Sequence, residues 1–455
     1  MSRLSSLRLP RGVARPGYDR GGKSVGIVHF GLGAFTRAHQ AWYTDRAMDL
    51  HGGDWMITGV SMRSPEVGEQ LNPQDGLYTL AERSGDGTHL RLIGSVAQVL
   101  LAGADRAAIV DHLAAPGTHI VSFTVTEKGY CRSPDGRLDH ALAARGFYPL
   151  LAAGMERRRQ AGLPGLTLMS CDNLADNGHQ LRGLLREDLA ARDPALLDWF
   201  EAYCTTPSSM VDRIVPATTA QDRSQIETMT GLRDDGAVVT EPFSQWVIED
   251  AFAGPRPAWD QVGAQIVSDV APYESAKLRM LNGAHSALAY LGLEHGHAFV
   301  HEAIADPALR PLIHRLMVDE AAPTIQTGSG QDLHAYAEAL LRRFANPALN
   351  HRLIQIAMDG SQKIPQRWLA TLAANQQAGR TSPAILTALG AWLRHVRGDV
   401  RPVDDPLAGE LAVVWAAQGE EGVLQAVLGK GGLLPSDWCP DVTYAHLPRL
   451  GEALA

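Results

Sequence analysis

Basic charge, paired cysteines and long apolar runs are all scarce in this chain, and each shortage removes a class of function. Lysine and arginine total 41 against 50 aspartates and glutamates, a formal net charge of −9, and no long basic run appears. The sequence therefore carries no electrostatic footprint for nucleic acid. Its four cysteines (Cys131, Cys171, Cys204 and Cys439) are scattered without CxxC or Cys/His metal spacing, which argues against a disulfide framework and a structural zinc site. No apolar run reaches membrane-spanning length, and the amino-terminal segment lacks a signal-peptide core. The expected location is the cytoplasm, with no membrane partner. No internal repeat or low-complexity tract stands out.

What remains is the composition of an ordinary globular protein. With 455 residues, 45% of them hydrophobic and 20% charged, the chain is long enough for two or three domains with normal cores. Ser24–Phe30, Trp55–Val60, His119–Val125 and Leu166–Ser170 read as buried strands separated by Ala/Leu/Arg-rich helices, the alternation of an α/β domain with a mainly parallel sheet. Beyond about Pro272 β-branched runs nearly vanish, and Asp332–Phe344 and Pro383–Val396 show helical periodicity. The expected organisation is a Rossmann-type α/β domain over residues 1–272 and an all-α domain over 273–455. Asn346-Pro, Ser382-Pro and Lys430-Gly-Gly432 mark breaks in the helical half.

Between the first strand and a helix expected to run through Gln40–Met48 stands Gly31-Leu-Gly33. Gly31 suits a tight turn, and Gly33 lets backbone amides approach a pyrophosphate at a helix N-terminus. Thr36 occupies the place of the third glycine of the usual fingerprint, and an ordinary tight turn explains many such matches. After the second strand, Glu66 is placed to hold ribose hydroxyls, whereas Arg63 suits a 2′-phosphate. The acid favours NAD over NADP.

The most informative segment is Lys277-Leu-Arg-Met-Leu-Asn282-Gly-Ala-His285-Ser-Ala-Leu-Ala-Tyr-Leu-Gly292. Leu278, Leu281, Leu288 and Leu291 recur at helical spacing, which describes an amphipathic, partly buried helix. At about 100° per residue, Asn282 lies roughly 140° from Lys277 and His285 falls between them at about 80°. A cation, an amide and an imidazole thus share one side. A desolvated lysine there accepts a proton near neutral pH, while the blander alternative is a surface lysine, an interface amide and a satisfied histidine. Glu274, at i−3 from Lys277, suits a proton relay or a surface ion pair. Ser170-Cys-Asp172-Asn173 follows a strand, so Asp172, Asn173 or Asp176 caps the next helix or the Asn173 amide stabilises developing alkoxide charge. Arg343, Lys363 and Arg367 form either a solvated face or an anion-binding wall.

Five ordered motifs carry a resemblance across more than 300 residues: Gly31-Leu-Gly33-Ala-Phe35-x-Arg37-x-His39; Thr126-Glu-Lys-Gly-Tyr130; Ser170-Cys-Asp-Asn173; Ser209-Met-Val-Asp-Arg213-Ile; and Lys277 through Ser286. Together they resemble the polyol-specific long-chain dehydrogenases, the mannitol dehydrogenase family. The resemblance implies an NAD-dependent oxidoreductase interconverting a secondary alcohol and a ketone of a linear sugar derivative, without a metal. It makes Lys277 the general acid/base, Asn173 and Asn282 the oxyanion site, and His285 the substrate-orienting group, with Glu274 on the proton path. It assigns Gly31, Gly33, Phe35, Arg37 and Glu66 to the cofactor and Arg343, Lys363 and Arg367 to the substrate. Tyr273, which imitates a Tyr-x-x-x-Lys pair with Lys277, reads as structural.

Glu241–Asp250 and Gln355–Arg367 look more like the fructuronate reductase (D-mannonate oxidoreductase) branch than like mannitol 2-dehydrogenases. A cationic wall favours a uronate, whose carboxylate needs a partner once out of water. The alternatives are a mannitol, arabinitol or sorbitol dehydrogenase, and a non-catalytic NAD sensor or scaffold. The expected partner is a small sugar acid or polyol, and the expected state is a monomer or small homo-oligomer.

Overall fold

The computed structural model describes residues 3, 4, 10, 12–348, 350–429, 431–434, 436–438 and 440. Lys430, Cys439 and most of the amino-terminal leader lie outside the described residues. The chain divides into two compact units, Met1–Val270 and Ala271–Ala455.

The first unit is organised by a five-stranded sheet. Its strands are β1 (Val25–Phe30), β2 (Met56–Ser61), β3 (Val96–Leu101), β4 (Ile120–Phe123) and β5 (Thr167–Ser170), in the spatial order β3-β2-β1-β4-β5. Every pairing in this sheet is parallel. A parallel sheet covered on both faces demands apolar residues at successive positions. Ile27, Val28, Phe30, Ile57, Val60, Val121, Phe123 and Leu168 accordingly have no exposed surface. The order reverses between β1 and β4, and such a switch leaves a crevice beyond the carboxyl ends of the strands where ligands of doubly wound sheets bind.

Two smaller sheets complete the unit. Tyr78–Ser84 pairs antiparallel with Gly87–Ile93 and parallel with Val238–Thr240. Gln245–Glu249 pairs antiparallel with Ser209–Asp212 and parallel with Gln265–Val267. These strands are short and mix polar with apolar residues, so no continuous run announces them.

The second unit is helical among its described residues, apart from the isolated bridges Phe299–Arg352 and Leu428–Leu434. Gly283–Glu294 lies at its centre and is buried continuously from Gly283 to Gly292. The amphipathic pattern is therefore corrected. Ala284, Ala287 and Ala289 are small enough for neighbouring helices to close over the face that a surface helix gives to water. Pro383–Val396 packs on it, and Leu333–Phe344 begins where Asp332 accepts the Ala335 N–H at 2.9 Å. The helical path is π-wound in three places, Lys277–Asn282, Leu316–Ala321 and Pro365–Leu369. No helix among the described residues is long and apolar enough to cross a membrane.

Glu320, in the second π turn, is buried and accepts the N–H groups of Ala384 and Ile385 at 2.7 and 2.8 Å. Burial outweighs these donors and pushes its carboxyl up from the ordinary 4.5 to about 7. Between these values the folded chain holds a proton that the unfolded chain has released, so stability falls as pH rises through the window. Thermal unfolding from pH 4.5 to 8 should show this fall, and Glu320→Gln should flatten it. An unchanged slope in the variant assigns the dependence to another group.

Candidate active site

In the first unit the crevice is built around Gly31. Its N–H donates to Val60 O at 2.8 Å, while the Thr124 N–H donates to Phe30 O at 2.9 Å, so the ends of β1, β2 and β4 are laced together. Gly31 has φ +91°, and a Cβ there would lie 2.1 Å from Thr124 O. Only glycine fits. Gly33 is different: a Cβ would meet just Gly31 O, at 3.7 Å. It starts the helix Ala34–Ala38 and leaves open ground beside the backbone amides, which is the space a pyrophosphate takes in this fold.

The single helix expected after the turn is interrupted. His39 (φ −120°, ψ −92°) separates Ala34–Ala38 from Gln40–His51. Its Nε2 sits 2.9 Å from Gln245 O, and its ring stacks on Phe35 at 5.1 Å. A tertiary partner overrides local helix propensity there.

Thr36 explains the missing third glycine. Its hydroxyl lies 2.9 Å from His29 Nε2 and 2.6 Å from Thr124 Oγ1, and Thr124 in turn donates to Gly31 O at 2.8 Å. On its other side His29 reaches Ser122 Oγ at 2.7 Å. Burial drives the imidazole down to about 3, so a neutral ring and three hydroxyls support the turn from beneath.

Arg37, expected at the cofactor, instead buries its guanidinium. It donates to Gly33 O at 3.2 Å and to Gly236 O at 2.6 Å, and stands over the Tyr78 ring. It is a prop for the turn. Glu66 is exposed beyond β2 and accepts the Gln70 amide at 3.1 Å; Arg63 is also exposed.

Asn173 lies on the exposed loop after β5. Asp172 does not cap the next helix. Its carboxylate accepts Val125 N–H, Thr126 N–H and the Tyr130 hydroxyl at 2.9, 3.1 and 2.8 Å, fixing the chain after β4, where Thr126 has φ +63°. Arg213, from a third motif, is buried. It donates to Ala38 O at 2.5 Å, to Glu241 O and to Glu82.

In the second unit, Lys277 opens the first π turn and Asn282 closes it. The expected angle between them changes as a result. A π turn joins residues five apart, where an α turn joins residues four apart, so Asn282 returns over Lys277 instead of standing roughly 140° away. His285 follows within one α turn. All three then occupy a narrower stripe than uniform α winding gives. Lys277, Asn282 and Glu274 are half-buried, and His285 is buried.

The His285 ring lies 4.7 Å from Phe344 and 5.4 Å from His351. Burial first, then His351, Arg343 and Arg367, hold its pKa well below the usual value. It is a neutral imidazole at physiological pH. Arg343 is buried in the same neighbourhood. Two other cations expected on a substrate wall are held by the protein. Lys363 donates to Met358 O at 2.5 Å and lies 3.8 Å from Asp359. Arg367 donates to Ser286 Oγ at 2.7 Å and to Asn282 O at 3.3 Å. Tyr273 is buried. Among the described residues no group of three or more His, Cys, Asp or Glu side chains is arranged to hold a metal ion.

The His29–Thr36–Thr124 network and His351 escaped sequence reasoning. For the first, a signal was available in the threonine at the third-glycine position of the fingerprint.

Two family models match the chain: the mannitol dehydrogenase Rossmann domain over residues 25–261 and the mannitol dehydrogenase C-terminal domain over residues 269–433. An oxidoreductase of Escherichia coli named YeiQ, described as uncharacterized, is 43% identical over 94% of this chain and 91% of its own. The D-mannonate oxidoreductase of Escherichia coli is 41% identical over 96% and 94%. The Pseudomonas fluorescens mannitol 2-dehydrogenase, solved as a ternary complex with NAD and D-mannitol, superposes with a TM-score of 0.77 at 36% identity, covering 93% of this chain and 91% of that one.

The two glycines should separate in a stability measurement. Gly31→Ala places a side chain at positive φ against a carbonyl and should cost about 1–3 kcal/mol. Gly33→Ala should stay within about 0.5 kcal/mol of wild type. Urea unfolding of the two variants checks this, and equal losses would show that the close approach of Thr124 O to Gly31 does not set the cost.

Proposed function

The chain belongs to the mannitol dehydrogenase family, and from that membership we propose that it is an oxidoreductase moving hydride reversibly between NAD(H) and a secondary alcohol of a linear sugar derivative, with D-mannonate and D-fructuronate as the preferred pair. The observation that carries this is the stripe of Lys277, Asn282 and His285 on one π-widened helix. Bound nicotinamide supplies the hydride acceptor for oxidation and the donor for reduction.

The chain's own residues do the rest. In oxidation Lys277 Nζ takes the hydroxyl proton as hydride leaves the same carbon, and in reduction it returns that proton to the oxygen. The Asn282 amide donates to the oxygen as it gains negative charge, where a fixed dipole is worth most. Neutral His285 orients a neighbouring hydroxyl without adding charge. Glu274, one turn before Lys277, carries the proton onward, and Asn173 offers a further amide donor at the carboxyl edge of the sheet. Gly31 and Gly33 suit the pyrophosphate, and exposed Glu66 suits the ribose hydroxyls of NAD better than a 2′-phosphate.

Support for the sugar acid comes from the similarity to D-mannonate oxidoreductase and from buried Arg343 beside His285, a cation suited to a carboxylate. The similarity to a mannitol 2-dehydrogenase supports the neutral-polyol alternative.

Lys277→Ala should lower turnover by about 10²–10⁴-fold while leaving NADH affinity nearly intact; near-wild-type turnover would sink the mechanism. Steady-state kinetics on D-mannonate, D-mannitol, D-sorbitol and D-arabinitol, each with NAD and NADP, tests substrate and cofactor together. The expected winner is D-mannonate with NAD. A tenfold advantage for a neutral polyol would overturn the sugar-acid assignment and spare the chemistry.

A further inference from the structure

We propose that Arg367 is a positioning residue for hydride transfer, clamping the π turn that brings Lys277, Asn282 and His285 into line. The proposal rests on the acid/base reading of Lys277 given above.

The clamp is made of two consecutive residues acting on two consecutive carbonyls. Arg367 Nη1 donates to Asn282 O at 3.3 Å and to Ser286 Oγ at 2.7 Å, and Trp368 Nε1 donates to Gly283 O at 3.1 Å. Asn282 ends the π turn, and Gly283 begins the α-helix that carries His285 and Ser286. The donors thus grip the junction where winding changes from π to α. Side-chain donors inserted at backbone carbonyls are a recognised cause of helix distortion. Arg367 and Trp368 themselves lie on the π turn Pro365–Leu369, which packs on Lys277–Asn282.

The charge on Arg367 needs a reason. Its guanidinium is largely buried, and among the described residues no carboxylate pairs with it. Arg213 and Arg91, by contrast, meet Glu82 and Asp45. Burial alone lowers the Arg367 pKa to about 10. A buried cation with only neutral partners is costly, and packing could be met by an apolar side chain of similar length. A charged donor makes a stronger bond to a carbonyl and a hydroxyl than a neutral one. That strength serves a geometry which must not drift, since misplacement by about 1 Å can cost about a hundredfold in rate.

The test uses the full-length enzyme and the variants Arg367→Met, Arg367→Lys and Ser286→Ala, with D-mannonate and D-mannitol as substrates. Arg367→Met should lose about a hundredfold in kcat on both substrates, with the KM for each sugar and the affinity for NADH changed little. Arg367→Lys should recover part of kcat, and guanidinium at sub-denaturing concentration should restore turnover to the methionine variant. If Arg367→Met fails to fold, Ser286→Ala leaves the cation and removes one acceptor, and kcat should fall by about tenfold. A loss confined to KM for D-mannonate would make Arg367 a carboxylate-binding residue and overturn the proposal. A kcat loss that tracks lowered thermal stability, without guanidinium rescue, would overturn it as well. Failure of the Lys277 reading would show separately, as normal turnover in Lys277→Ala whatever Arg367 does.

Discussion

A polar group buried in protein must find its partner there or cost the fold dearly, and the places where this chain meets that demand are the places where its geometry is set. At the sheet, β1 and β4 come so close beyond their ends that Gly31 has no room for a carbon, and the carbonyls and hydroxyls crowded there must satisfy one another. His29, Thr36, Ser122 and Thr124 do so as one connected set. Their bonds leave the turn one shape. Arg37 and Arg213 act in the same spirit from either end of Ala34–Ala38, each spending a guanidinium on main-chain oxygens.

The helical unit meets the same demand differently. Its central helix is enclosed by apolar neighbours, so distortions of its ladder are answered by side chains from other helices. Arg367 and Trp368 serve Asn282 and Gly283, and Arg279 within the π turn donates to Thr324 O at 2.8 Å. Glu320 closes the start of Pro383–Val396. Charge is kept in this interior only at such points. The neutral state of His285 follows, because burial and the cations around it both oppose protonation.

Much of this was legible in the sequence because burial on both faces writes a plain pattern. The runs at Val25–Phe30 and Ile120–Phe123 read as strands, and Pro383–Val396 read as a helix from its first proline to its last apolar residue. The stripe from Lys277 to His285 was visible as residue types at helical spacing, but its true angles were not. Winding at Lys277–Asn282 answers to donors about 85 positions further on, and no local window contains them. The break at His39 depends on Gln245 in the same way. Arg37 and Arg367 looked like ligand-binding cations for a related reason: sequence shows a charge, whereas only the fold shows which oxygens hold it.

The π turn at Lys277–Asn282 also has a meaning in terms of residue count. A helix that closes its ladder over five residues where neighbouring turns use four has taken in one surplus residue without gaining a turn. Removing any single residue from 277–282 would allow uniform α winding and would rotate everything after it by about 100° relative to everything before it. His285 would leave the side it shares with Lys277, yet apolar residues would still fill most of the helix. The chemistry of this helix is thus indexed to an odd residue, and length variation here is far less tolerable than substitution.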